Sequence, residues 1–412
     1  METVKNIQSV SDNLLCSNCG ACVTVCPVDA ISMRQSAIGR LYAGVVNDRC
    51  VECGLCLKVC PSRSIDDIVG AVSEDALLGG IRSITIGRSA RKDLYKNGQS
   101  GGAATALLTY LFDTGKIDSA LVVRMESGIQ PFGKAFIATS TEELKQSQKS
   151  CYTPVALLEA LKETDKYHSL AVVGLPCHLR GLENLMRHAK RFGNVRYKIG
   201  LVCDRTLCSG IQDALTPKSL QGTSRKMIFR SYGDVGDRRI PYREAAVAIF
   251  PENGPVVFAS REDRFALKEM FTSPRCRICP DKLSTTSDIT LGDPWGMEGG
   301  DTEQGDNVIV VRTETGENWL QDAVEKGYIL LKKASSADEL SRGQHIPDRV
   351  QQVRRYAEAM KGVPGEESDR LQRFRTLDNA PKETILAEAN KEIRKRRIRN
   401  IIKNLRKKFL GK

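Results

Sequence analysis

Two short runs of cysteine carry the most distinctive chemistry in this 412-residue chain. Cys16-x2-Cys19-x2-Cys22-x3-Cys26-Pro27 recurs as Cys50-x2-Cys53-x2-Cys56-x3-Cys60-Pro61, and it is the one internal repeat. Thiolates are soft ligands. Three of them in a tight loop can wrap three corners of an inorganic cube, and a fourth on the chain leading away completes a set of four. The spacing therefore predicts two cubane [4Fe–4S] clusters. Gly20 and Gly54 follow the second cysteine of each run, where a residue without a Cβ lets the backbone approach a cluster and aim amides at its sulfides. The alternatives fit less well. Structural zinc asks for two ligand pairs, commonly CxxC twice, and a disulfide framework belongs to small secreted domains.

Residues 10–66 resemble the bacterial two-cluster ferredoxins, with the motif complete. In that family the fourth cysteine of each run serves the other cluster. The resemblance implies Cys16, Cys19, Cys22 and Cys60 on one cluster, and Cys50, Cys53, Cys56 and Cys26 on the second.

Six cysteines remain: Cys151, Cys177, Cys203, Cys208, Cys276 and Cys279. Cys177 follows a strand-like segment in AVVGLPCHLRGL, Cys203 ends the next in KIGLVCD, and Cys276 and Cys279 form CRIC shortly before SDITLGDPWG. Thiols at the ends of neighbouring strands, with a CxxC loop, can converge on one side of a sheet and would suit a third cubane. Zinc at CRIC and plain burial as small hydrophobes are the competing readings; burial is preferred for Cys151 and Cys208.

GQSGGAATALL (98–108), VVGLPCHLRGL (172–182), LVCD (201–204) and CRICPDKLSTTSDITLGDPWG (276–296) together resemble the coenzyme F420 hydrogenase/dehydrogenase beta-subunit family over roughly residues 90–330. That resemblance implies an FAD-binding α/β domain with its own [4Fe–4S] cluster, its four cysteines falling on Cys177, Cys203, Cys276 and Cys279. Cys151, the His178 that follows Cys177, and the basic C-terminus depart from the family pattern. The tail is similar to that of members associated with surface-polysaccharide synthesis.

No GxGxxG follows a strand and no GxxxxGK[ST] occurs, which argues against a Rossmann site or a P-loop. GQSGG is the candidate flavin cradle. Gly98, Ser100, Gly101 and Gly102 precede an apolar helix whose first turn offers amides and the positive end of a dipole to a pyrophosphate, with Ser100 as the expected N-cap. In GDPWG, Asp293 is a candidate acceptor for a ribityl hydroxyl and Trp295 a candidate stacking wall. No catalytic residue is assigned. A flavin links two-electron hydride chemistry to one-electron clusters. The expected function is therefore an iron–sulfur flavoprotein oxidoreductase. It would exchange electrons between a small-molecule hydride donor or acceptor, such as coenzyme F420, and ferredoxin or another redox partner protein. The alternatives are a non-catalytic electron-transfer subunit and a reductase serving polysaccharide synthesis.

The elements that must position these groups read as a mixed α+β and α/β multidomain chain. Residues 1–68 form the two-cluster domain and 69–97 a connector. Residues 98–335 form the α/β domain, and 336–412 a polar helical tail. Within the α/β domain a helix over AATALLTYLF ends near Gly115. IDSALVV, SLAVVG, VRYKIGLVC, ITLGD, NVIVVR and YILLKK read as strands, TPVALLEALKETD as a helix, and AAVAIF-PENG-PVVFAS as a β-hairpin.

Forty-one per cent hydrophobic residues suffice for a core, and the length suggests two or three domains. No apolar run of spanning length and no signal core at METVKNIQSV occur, so a cytoplasmic protein is expected. The formal net charge is +12, but residues 391–412 hold eleven Lys or Arg against one Glu, so the body is nearly neutral. Ile398, Ile401, Ile402, Leu405 and Phe409 share one helical face of that tail, an arrangement suited to an anionic membrane surface or an acidic protein partner. Nucleic acid is disfavoured, since no aromatic platform accompanies the charge. Of the four histidines, only His178 stands beside a candidate ligand, where protonation of a substrate or flavin competes with plain burial.

Overall fold

The computed structural model describes residues 6–70, 72–189, 191–241, 244–301 and 305–410, with side chains through 406. Phe409 and the last two residues of the tail thus lie outside the described side chains. In the first module, the antiparallel hairpin β1 (Ile31–Gln35) and β2 (Leu41–Val45) sits beside two short helices, Ala21–Val25 and Leu55–Val59. Each helix opens on a left-handed glycine, Gly20 at φ 87° and Gly54 at φ 70°. A Cβ at Gly20 would stand 2.9 Å from the Glu159 nitrogen, so this glycine is also needed for contact with the second module.

The α/β body is built on eight strands: β3 (Ser83–Ser89), β4 (Ser119–Glu126), β5 (Phe132–Ala138), β6 (Leu170–Gly174), β7 (Val195–Leu201), and, after an inserted segment, β13 (Ile289–Gly292), β14 (Asn307–Val311) and β15 (Ile329–Ala334). The insertion carries β8 (Arg225–Ser231), β9 (Gly233–Val235), β10 (Arg238–Ile240), β11 (Ala246–Pro251) and β12 (Val257–Ala259). In it β11 pairs antiparallel with β12, as the hairpin reading expected, and with β8. The sheet order is β15-β3-β14-β13-β7-β6-β4-β5. Its centre, β13-β7-β6-β4, is parallel, and the remaining pairs are antiparallel. Covered on both faces, β14 is buried at every position, which is why NVIVV is almost uniformly apolar.

Helices Ala103–Asp113 and Glu314–Glu325 cover one face through Leu107, Leu108, Leu111, Trp319 and Leu320. Helix Pro176–Ala189 covers the other through Leu179, Leu182 and Leu185. There Cys19, Ala21 and Val59 of the first module join the same apolar cluster. Polar bonds stitch the seam: Leu158 N donates to the Cys19 carbonyl at 2.9 Å, Thr24 Oγ1 to the Leu158 carbonyl at 2.6 Å, and Arg40 pairs with Asp378 at 2.8 Å.

Three expectations need correction. The segment 69–97 is more than a connector: its alternating ITIG piece forms β3, an inner strand between β15 and β14. TPVALLEALKETD forms only a 3-10 stretch, Leu157–Glu163. Pro154 cannot donate, and the Leu158 amide is taken by Cys19 in place of a carbonyl one turn back. The residues after 336 are helical as expected, but they are packed. Val350, Val353, Tyr356, Leu371, Phe374 and Leu377 are buried in the helices Ile346–Met360 and Glu366–Asp378. Among the described residues no helix is long and apolar enough to cross a membrane.

Candidate functional site

The parallel strands decide where the site lies. Cys177 follows β6 by three residues, Cys203 follows β7 by two, and Asp293 immediately follows β13, all at the carboxyl edge of the parallel centre. Open α/β sheets bind ligands at that edge. The CRIC loop is drawn to the same place: the Cys203 amide donates to the Lys282 carbonyl at 2.9 Å, and Arg349 Nη2 to the Cys276 carbonyl at 2.5 Å.

Cys177, Cys203, Cys276 and Cys279 converge. Burial raises the Cys177 thiol first, and Cys19, Cys279, Cys203 and Cys276 push it further; Cys203 is raised by burial, Cys276 and Cys279. Thiolates so placed repel one another and are stable only around a cationic core. The first module shows the same pattern. Burial, then Cys16, Cys19 and Cys60, raises Cys22; Cys60 is raised by burial, Cys19 and Cys16; Cys19 stands at about 11, chiefly through burial. Cys50 and Cys53 likewise act on Cys56. The structure thus brings together Cys16, Cys19, Cys22 and Cys60, and separately Cys50, Cys53 and Cys56. The Cys26 Sγ accepts the Ala30 amide at 3.2 Å.

All fourteen cysteines are free thiols, so no disulfide framework forms. Among the described residues no three His, Cys, Asp or Glu are poised around a single ion. Cys208 is buried; Cys151 Sγ bonds Thr153 and lines the cavity at the sheet edge.

The two richest thiol groups are neighbours. A Cβ at Gly181, one turn into the helix that Cys177 begins, would stand 3.2 Å from Cys19 Sγ. At the other end of the first module Cys53 is exposed, whereas Cys16, Cys19 and Cys22 are buried.

Cys203 also lines a cavity of about 1150 Å³ at the sheet edge. The 98–102 loop forms one wall. Ser89 N donates to the Gly101 carbonyl at 2.7 Å and Tyr232 Oη to the Gly98 carbonyl at 2.6 Å. A Cβ at Gly101 would come within 2.6 Å of Asn307 Oδ1. Ser100 is not the N-cap: Gly102 takes that place at φ 70°, Asn307 Oδ1 accepts the Ala103 amide, and the Ser100 hydroxyl donates to Asp293. Asp293 is already engaged, accepting from Arg230 Nη1 at 2.7 Å, and so braces the loop. Trp295 is 48 % exposed on the cavity rim with the Arg230 guanidinium 5.8 Å from its ring centre.

Cations outnumber anions in the cavity. Lys149, Arg205, Arg230, Arg261, Arg264, Lys268, Lys282 and Arg349 line it, against Asp204, Asp293, Asp301 and Asp348, and Asp204 pairs with Arg205 and Lys268. Burial lowers Lys149, Arg264 and Lys282, and nearby cations add to the effect. An anion-bearing ligand relieves such crowding. These residues were missed in the sequence because they are scattered from 149 to 349 with no motif; only the fold collects them. His178 is the opposite case. It is buried, Nδ1 accepts the Leu175 amide at 3.2 Å and Nε2 lies 3.1 Å from the Val155 carbonyl. Burial lowers its pKa to about 4, so the ring is neutral near pH 7 with both nitrogens facing backbone groups.

Comparison with known proteins agrees with this geometry. Residues 84–162 and 167–337 match the N-terminal and C-terminal domains of the coenzyme F420 hydrogenase/dehydrogenase beta subunit, and 15–64 match a 4Fe-4S dicluster domain. An uncharacterized protein of Methanocaldococcus jannaschii is 28 % identical over 80 % of this chain and 92 % of its own. One of the F(420)H(2) dehydrogenase subunits of Methanosarcina mazei is 25 % identical over 76 % of this chain and 83 % of its own. The coenzyme F420 hydrogenase beta subunit of Methanosarcina barkeri is 25 % identical over 62 % of this chain and 82 % of its own. A chain of the F420-reducing [NiFe] hydrogenase complex from Methanosarcina barkeri shares the fold, with a TM-score of 0.54 at 20 % identity, covering 69 % of this chain and 94 % of that one. The chain belongs to the coenzyme F420 hydrogenase/dehydrogenase beta-subunit family and carries an N-terminal 4Fe-4S dicluster domain.

Proposed function

We propose that the chain is an iron–sulfur flavoprotein oxidoreductase whose three [4Fe–4S] clusters connect a surface port to an anion-binding cavity. The supporting observation is the path of the thiols. It runs from exposed Cys53 with Cys50, Cys56 and Cys26, through buried Cys16, Cys19 and Cys22 with half-buried Cys60, to Cys177, Cys276, Cys279 and Cys203, the last of which lines the cavity. The donor chemistry fits cubanes: four thiols per set, two of the sets in the grammar of two-cluster ferredoxins. The cavity fits FAD in size and charge, with the 98–102 loop and Arg230 as the pyrophosphate side and Trp295 as a ring wall. Bound there, a flavin would supply the exchange between hydride and single electrons.

The residues then divide the work. The cationic wall binds and orients a phosphate- or carboxylate-bearing substrate, and the names of the relatives point to coenzyme F420 as that substrate. Asp293 fixes Arg230 and Ser100, and His178 stays neutral. The exposed end passes electrons to ferredoxin or a partner subunit. A purely electron-transferring subunit is the second reading, favoured by relatives that are themselves subunits. Anaerobic iron, sulfide and flavin analysis, followed by dye-coupled oxidation of reduced coenzyme F420 by the chain alone, separates the two. About twelve irons and one FAD with turnover support the proposal. Iron without flavin or turnover refutes it in favour of the second reading.

A further inference from the structure

A buried arginine stands at the junction of the two inner thiol sets and is only partly satisfied. Arg275 is 4 % exposed and directly precedes Cys276. Its Nε donates to Ser62 Oγ at 2.7 Å, and Ser62, fully buried, lies two residues beyond Cys60. Its Nη1 has no hydrogen-bond partner among the described residues. A buried guanidinium N–H left unpaired forfeits its hydration with nothing in exchange, so such a group calls for an acceptor. Proposed cluster ligands flank it on both sides: its partner Ser62 lies two residues beyond Cys60, and the residue that follows it is Cys276 of the third set. An iron–sulfur core presents sulfides and thiolates, which accept N–H donors and whose potential follows local charge and hydrogen bonding.

We propose that Arg275 sets the reduction potential of the cluster held by Cys16, Cys19, Cys22 and Cys60. Ser62 holds its buried guanidinium, and Nη1–H serves that iron–sulfur core. The inference rests on the cluster assignment proposed above. On reduction the core gains one electron and one negative charge, and no proton need move. A fixed cation beside it stabilises the reduced form, so this cluster is more easily reduced with Arg275 in place than without it.

The test is an EPR-monitored dithionite titration of the anaerobically reconstituted full chain. The relevant signal is identified by its change in Cys60→Ser. Arg275→Gln is expected to shift the reduced-to-oxidised ratio of that signal about tenfold toward oxidised, roughly 59 mV for a one-electron couple, with iron content unchanged. Arg275→Lys, which keeps the charge, and Ser62→Ala, which removes only the tether, are expected to titrate close to the parent protein. An unchanged midpoint in cluster-replete Arg275→Gln overturns the proposal. So does a shift as large in Arg275→Lys or Ser62→Ala, even if Arg275→Gln fails to hold iron, because the arginine would then be a staple and not a charge. Absence of the Cys60-dependent signal from the parent protein would instead overturn the cluster assignment itself.

Discussion

Replacing Asp293 by Asn tests whether the 98–102 loop is braced by charge. Arg230 and Asp293 are 9 % and 13 % exposed at their side chains and meet at 2.7 Å, with the Ser100 hydroxyl on the same carboxylate. Asn preserves shape but removes the anion, leaving a nearly buried guanidinium facing an amide. Breaking one half of a buried pair costs about 3 kcal/mol, largely as uncompensated charge. The effect is local, because the Arg230 carbonyl still accepts from Gln99 and the Ala103 amide still reaches Asn307. Amides of residues 98–108 should therefore exchange about a hundredfold faster in the flavin-free protein, since each 1.4 kcal/mol is about tenfold. Adding Arg230→Gln removes the stranded charge and should restore at least about tenfold of that protection, a non-additivity expected of contacting residues. Hydrogen exchange read by mass spectrometry gives both numbers. Exchange in Asp293→Asn within about threefold of the parent, or a double variant no better protected than the single, would refute the charge argument.

Further outcomes follow from other contacts. Cys279→Ser should lower iron from about twelve to about eight per chain while leaving the dicluster EPR signals, and unchanged iron would remove the third cluster. Gly102→Ala forces a Cβ to 2.8 Å from the Leu94 carbonyl at φ 70°, so the helix start should lose about 1–3 kcal/mol and flavin retention should fall in parallel; an equally stable, flavin-replete variant would contradict this. Burial opposes ionisation of Glu269, but Arg277 and Arg205 outweigh it and hold the carboxyl below the usual range. Its contribution is thus present above the ordinary glutamate pKa and lost as pH falls through the depressed one. Glu269→Gln should flatten the acid limb of a stability–pH curve, and an unchanged limb would show that another group dominates. Finally, Ile398, Ile401, Ile402 and Leu405 are exposed on helix Lys382–Leu410, whose base is tied by Arg396–Glu262 and Arg397–Asp263. We propose an anionic membrane as the surface for this face: the parent chain should float with anionic liposomes and the variant with Ser at all four should not, and a parent chain that fails to float, or equal flotation of the two, would discard membrane docking.

The dicluster grammar was legible because three ligands of each cube and the cysteine-proline that follows them form a short local pattern, written twice. The inner strands of the sheet were legible for a related reason: covered on both faces, they are written as apolar runs such as LAVVG in β6 and NVIVV in β14. β3 was hidden because ITIG alone is too short to distinguish a linker from a strand, and only its pairing with β14 and β15 decides. Ser100 was misread as a cap because an N-terminal Ser before an apolar run has that meaning unless a distant carboxylate claims the hydroxyl, as Asp293 does. The cationic cavity wall was invisible, since Lys149 and Arg349 have no sequence relation and meet only across the sheet edge.

One helix, Pro176–Ala189, contributes Cys177 near its start and lays Gly181 against Cys19 of the other module. Under the proposed ligation, the gap between two redox centres is set by a single rigid rod and not by a hinge. Tunnelling across it would need no docking motion, so its rate should be insensitive to solvent viscosity. Any viscosity dependence in turnover must then arise at the surface port or in substrate exchange.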